Sequence, residues 1–143
     1  MIFSPWPTSP SPGKVVGMTA DTKPTKPKHL VTGNRGEALA ARYLEEHGLT
    51  VLSKNWRCPE GELDLVLTDG HLLVVCEVKT RSSDNFGSPA EAVDDAKAGR
   101  IRRLARQWRV QNGIGHVPTR YDIVSILWPP DDAPQINHLR GVL

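Results

Sequence analysis

Glu77 stands thirteen positions after Asp64 and opens the triplet Glu77-Val78-Lys79, directly behind the most apolar run of the chain, Leu72-Leu73-Val74-Val75-Cys76. An acidic residue, a short gap and then Glu-x-Lys on a buried strand is the residue set that a metal-dependent phosphodiesterase needs. Carboxylate oxygens hold a hard divalent cation, and a lysine beside them serves the water that attacks phosphorus.

Such chemistry requires the side chains to converge, and hairpin parity supplies a way. Residues 62–68 alternate, with Leu63, Leu65 and Leu67 on one face and Glu62, Asp64 and Val66 on the other. Asp69-Gly70 is a strong signal for a two-residue type I′ turn. With that loop Thr68 pairs with His71, Asp64 faces Val75 and Glu62 faces Glu77; a four-residue loop keeps the same parity. Glu62, Asp64, Glu77 and Lys79 then project from one face. Asp64 and Glu77 become diagonal neighbours at roughly 7 to 8 Å, close enough to share an ion bound at about 2.1 Å. Charges gathered on an apolar hairpin are costly unless they are paired. An ion pair of Lys79 with Glu77 or Asp64 is the structural alternative to catalysis.

The neighbouring elements read as follows. Asn34 and Glu37 form a capping box before a stripe of Ala38, Leu39, Ala41, Tyr43 and Leu44, and Gly48 is the helix stop. Glu37 is thereby an N3 capping residue whose carboxylate can also reach the metal site. A first strand is expected over 49–56 and a turn over 57–61. Ser88, Pro89 and Glu91 start a second helix that runs to Gln111 and buries Val93, Ile101, Leu104, Ala105 and Trp108. Lys97 falls on that apolar arc, either snorkelling past the sheet edge or standing as a second cation over a substrate phosphate. Arg102, Arg106 and Arg109 take the opposite face with Arg100 and Arg103 flanking, which describes a solvated face or an electrostatic track for a phosphate backbone. Strands follow over 121–128 and 135–139. The fold class is α/β, a mixed central sheet of about five strands with helices on both sides.

Composition bounds the rest. A chain of 143 residues with net charge +2 is a single domain whose charge does not by itself demand nucleic acid. Two cysteines are too few for a disulfide scaffold, no Cys/His cluster suggests zinc, and Cys76 alternates to a buried face. No run approaches the roughly 20 apolar residues of a membrane span, so the expectation is a cytoplasmic protein with no membrane partner. Residues 1–32, rich in proline, serine, threonine and lysine, read as a disordered tail before a domain over 33–143, and Met18 is an alternative start.

The motifs Gly36-Glu37-Ala38, Asn55-Trp56-Arg57, Gly61-Glu62-Leu63-Asp64-Leu65, Val75-Cys76-Glu77-Val78-Lys79-Thr80-Arg81, Phe86-Gly87, Ala92-Val93, Lys97 and Arg120-Tyr121-Asp122 together resemble the YraN-like family of bacterial proteins across about 33–128. That family is grouped with the restriction-endonuclease-like PD-(D/E)xK nucleases and is similar to archaeal Holliday-junction resolvases. The resemblance implies a Mg²⁺-dependent (or Mn²⁺-dependent) DNA endonuclease acting on branched or single-stranded DNA, with a homodimer as the form suited to junctions. It implies Glu37, Asp64, Glu77 and Lys79 as catalytic residues, the ion being held by Asp64, Glu77, the Val78 carbonyl and Glu37. Arg81, Lys97, Arg100 and Arg103 are the implied nucleic-acid contacts. Cys76 stands where an aromatic is common, and Leu63 replaces the proline that nominally precedes the aspartate. The alternative function is a catalytically silent nucleic-acid-binding or adaptor module on the same fold.

Overall fold

The structure, a computed structural model, describes Trp6 and residues 28–83 and 94–143, with side chains in the first helix from residue 34 onward. The element order is α1 (Lys28–Glu46), β1 (Thr50–Cys58), β2 (Gly61–Thr68), β3 (Leu73–Arg81), α2 (Asp95–Gln111), β4 (Thr119–Leu127) and β5 (Gln135–Leu139). The five strands form one mixed sheet in the order β1-β2-β3-β4-β5. β1, β2 and β3 are an antiparallel meander, β3 and β4 are parallel, and β5 returns antiparallel on β4.

The helices cover opposite faces because β2 and β3 are apolar on both. Leu65, Leu67, Val74 and Cys76 pack with Ala40, Ala41 and Leu44 of α1, whereas Val66, Leu73 and Val75 pack with Ile101, Leu104 and Trp108 of α2. Cys76 is buried as expected, and burial pushes its thiol up.

α1 begins at Lys28, so Asn34 and Glu37 lie inside the helix and the expected capping box does not exist. The helix extends through Gly33 and Asn34 because α1 docks on the sheet, and packing outweighs their weak helix propensity. Its C-terminus follows expectation. Gly48, at φ 92°, donates to the Glu45 carbonyl at 3.2 Å while Leu49 donates to Leu44 at 3.1 Å, a Schellman closure that favours glycine.

The β2–β3 loop is wider than two residues. Thr68 pairs with Leu73, Val66 with Val75 and Leu65 with Cys76. The Asp69 carboxylate accepts the N–H groups of His71 (2.8 Å) and Leu72 (2.9 Å), and the Thr68 hydroxyl donates to the Leu72 carbonyl at 2.7 Å. These side-chain bonds stabilise a four-residue loop over the type I′ turn. Parity survives, but the register moves by two residues.

The leucines 63, 65 and 67 do not share a face either: Leu63 packs on the α2 side and the other two on the α1 side. Asn55, at φ 51°, sits between the pairs Lys54–Leu65 and Trp56–Leu63 and breaks the alternation of both strands there. β1 runs on to Cys58, with Arg57 paired to Glu62 and Cys58 to Gly61, so the turn expected over 57–61 shrinks to Pro59 and Glu60.

The helix start expected at Ser88, Pro89 and Glu91, with Val93, lies outside the described residues. α2 as described is capped by Asp94, whose side chain accepts the Lys97 N–H at 2.8 Å. Its buried stripe is Ala98, Ile101, Leu104, Ala105 and Trp108. Two indole bonds lock it to β1: Trp108 Nε1 donates to Ser53 Oγ (2.9 Å) and Trp56 Nε1 to Gln111 Oε1 (2.8 Å).

Candidate active site

The β2–β3 backbone pairing ends at Leu65–Cys76, whereas β3 continues against β4 as far as Arg81. One step past that last pair the register brings Asp64 opposite Glu77, directly across rather than diagonally. A side chain takes over where the ladder stops: Asp64 Oδ2 accepts the Val78 N–H at 2.8 Å. Glu77, Val78 and Lys79 thus lie along a stretch of β3 that β2 has left.

Besides β2 with Glu62 and Asp64, three elements deliver charge to this opening. From β3, Lys79 Nζ stands 3.7 Å from Glu77 Oε1. From α2, Lys97 and Arg100 border a depression of about 270 Å³ that also takes in Glu62, Asp64 and Glu77, with Ile101 and Leu104 as its apolar floor. Lys97 therefore faces the carboxylates, as its place on the apolar arc suggested. Burial, followed by the close approach of Lys79, lowers the Lys97 ammonium from its ordinary value, and Glu77 opposes this.

From α1 comes Glu37. Its placement depends on Gly36, where a Cβ would overlap Thr80 Oγ1 of β3. The missing side chain lets α1 settle on β3 one residue past Lys79. With its amide nitrogen turned toward α1, Asn55 donates to both Glu37 carboxylate oxygens at 3.1 and 2.7 Å. Asn55 had only been part of a motif in the sequence. Its tolerance of the left-handed region was the one available signal.

Gathered carboxylates resist ionisation. Burial first, then Asp64 and Glu62, push Glu37 up to about 7 against the pull of Arg57. Burial, then the charges of Glu77 and Glu62, push Asp64 up to about 6 despite the Val78 N–H and Lys79. Glu62 is engaged by Arg57 at 2.8 Å on the outer rim.

Among the described residues, no three His, Cys, Asp or Glu side chains stand close enough together to hold an ion as they are. Asp64 is turned to Val78, Glu77 toward Lys79 and Glu37 to Asn55. The donor set still fits a hard cation, because Asp64 and Glu77 offer oxygen ligands only from facing strands.

The remaining expected contacts divide. Arg100 and Arg103 both line a shallow depression beyond Lys97, next to the α2 cap. Arg81 lies at the far end of β3, opposite Leu127. Arg102 folds over the Tyr121 ring at 5.7 Å, and Arg109 Nη1 donates to the Gly115 carbonyl at 3.3 Å, so these two arginines serve the fold. Among the described residues, no helix is long and apolar enough to cross a membrane.

Comparison with known proteins agrees with the motif pattern. The model of the uncharacterised protein family UPF0102, the YraN-like group, matches residues 36–126, which begin at Gly36 and include every carboxylate of the site. A UPF0102 protein of Nocardioides sp. is 50% identical over 110 residues, covering 77% of this chain and 89% of its own. One from Paenarthrobacter aurescens is 49% identical over 110 residues (77% and 91%), and one from Frankia alni 51% over 109 (76% and 91%). The chain belongs to the protein family UPF0102.

Proposed function

We propose that this protein is a metal-dependent DNA endonuclease of the restriction-endonuclease-like PD-(D/E)xK type, acting on branched or single-stranded DNA. The observation that carries the reading is the convergence of Asp64, Glu77 and Glu37 from three elements at the point where β2 and β3 part, with Lys79 and Lys97 beside them. Asp64 and Glu77, with the Val78 carbonyl and Glu37, would hold Mg²⁺ or Mn²⁺, which supplies Lewis-acid stabilisation of charge on the scissile phosphate. Lys79, tethered near Glu77, orients the attacking water and takes part in its deprotonation. Lys97 and Arg100 offset charge on the phosphate oxygens from the α2 side. Glu37, held by Asn55, stands where it can also orient the attacking water.

Asp64→Ala is expected to abolish Mg²⁺ or Mn²⁺ binding by calorimetry, and to cut cleavage of branched and single-stranded DNA by about two to three orders of magnitude. Wild-type protein that nicks no substrate of such a panel in either metal sinks the enzymatic reading. One observation favours a second reading, a silent DNA-binding module: each carboxylate already has a protein partner. That module would bind DNA equally in EDTA and with Glu77→Gln, and would never cut.

A further inference from the structure

Three depressions follow one flank of α2 and share residues. The first is the carboxylate depression, bordered by Lys97 and Arg100. The second holds Lys97, Arg100 and Arg103 beside Asp94. The third, about 520 Å³, lies between α2 and the end of β1, against Trp56, Arg103, Arg106, Gln107 and Val110.

The cations at 97, 100, 103 and 106 recur every third residue. Each is therefore rotated by about 60° from the one before, and the four together climb about 14 Å along the axis. This is a row that winds from the sheet-facing seam onto the free flank. Arg100, Arg103 and Arg106 make no hydrogen bond, ion pair or ring contact with the described residues, whereas Arg102 lies over Tyr121 and Arg109 donates to Gly115. The acidic groups nearby are occupied: Glu62 by Arg57, Glu60 by Cys58 and Gln107, and Asp94 by the helix N-terminus.

The third depression differs in kind from the first two. Its size falls in the roughly 300–1,000 Å³ range of sites that enclose a small planar ligand. Val110 is 72% exposed on an otherwise polar flank, where the fold gives it nothing to pack against. Gln111 spends its carbonyl oxygen on Trp56, which leaves its amide nitrogen to donate, and Gln107 lies one turn before it. An aliphatic floor, guanidinium planes and amide groups at the end of a cation row are what a single unstacked base requires: apolar faces for the ring, amides for its edge, cations for its phosphates. A duplex keeps its bases stacked and cannot fill such a pocket.

We propose that the third depression is a nucleobase subsite for an unpaired DNA strand, whose phosphates follow Arg103, Arg100 and Lys97 to the carboxylates. The proposal rests on the phosphodiesterase reading and narrows its substrate to DNA with a single-stranded segment.

The test is fluorescence anisotropy in EDTA with a short labelled oligothymidylate, an abasic strand of equal length and a blunt duplex. Val110→Glu and Gln107→Ala, both checked for wild-type melting, are compared with wild type. Wild type is expected to bind the oligothymidylate most tightly. Each variant is expected to lose about five- to hundredfold on that strand, the worth of one base contact, with little change on the abasic strand or duplex. Unchanged affinity, equal losses on all three probes, a preference for duplex or no binding at all overturns the subsite. Base-dependent binding in EDTA without cleavage in Mg²⁺ overturns only the phosphodiesterase reading. Cleavage by a Val110→Glu protein of undiminished strand affinity overturns only the subsite.

Discussion

At the scale of single residues, the carboxylates behave as a group because each raises the cost of ionising the next. Glu37 shows this most clearly: its folded value is about 7 against an ordinary 4.5, chiefly through burial and then Asp64 and Glu62. Between those two values the folded protein holds a proton that the unfolded chain has released, so stability is lost as pH rises through about 7. Glu37→Gln removes that liability and keeps most of the shape. In metal-free buffer its melting temperature is expected to exceed the wild type's clearly at pH 8 and hardly at pH 5. A gap equal at both pH values would show that Glu37 ionises without strain. Lys97 faces the cluster from the other side and shifts in the opposite direction, first through burial.

The elements set these distances, and α1 does so through the absence of a side chain. In an exposed helix Gly→Ala stabilises by about 1 kcal/mol, but at Gly36 the new methyl would meet Thr80. Gly36→Ala is therefore expected to destabilise by about 1–3 kcal/mol in urea titration, with part of the loss recovered by adding Thr80→Ala. A stabilised Gly36→Ala would mean that α1 rides higher on β3 and that Glu37 lies farther from Asp64. Register shows the division between local and tertiary information. Alternation in 62–68 and 72–79 placed the charged residues on a common side, and this holds for Asp64 and Glu77. Which residue faces which depended on the loop, and the Asp69 carboxylate decided that by capping two N–H groups.

Across the whole molecule, one buried carboxylate ties the C-terminal segment to the sheet. Asp122 of β4 is fully buried and accepts from Arg120 Nε and Nη2 (both 2.9 Å), from the Gly141 N–H (2.9 Å) and from His138 Nε2 (2.8 Å). Burial pushes its carboxyl up, and these partners, Arg120 foremost, outweigh that and hold it below the usual range. Asp122→Ala leaves a guanidinium and an imidazole facing a void and is expected to cost about 3–5 kcal/mol by urea unfolding. A loss under about 1 kcal/mol would show that β5 holds by its backbone ladder alone. Arg120-Tyr121-Asp122 is thereby explained as architecture, with Asp122 paired to Cys76 one residue before Glu77 of the site.

Sequence by itself determined the order of elements, the five strands, the apolar faces that place helices on both sides, and the inward position of Lys97. Each of these is a matter of periodicity within a few turns or strand residues, which the chain encodes locally. Tertiary structure alone decided that Asp64 meets Glu77 head-on, that Glu37 arrives from mid-helix rather than from a cap, and that Asn55 receives it. It also decided that Thr80 demands a glycine opposite and that a pocket opens beyond Arg103. Those facts depend on separations between elements, set by loop closure, helix docking and the irregularities of β1 at Val51/Ser53 and Asn55. A pattern along one element carries the direction of a side chain, but not its distance from a group on another.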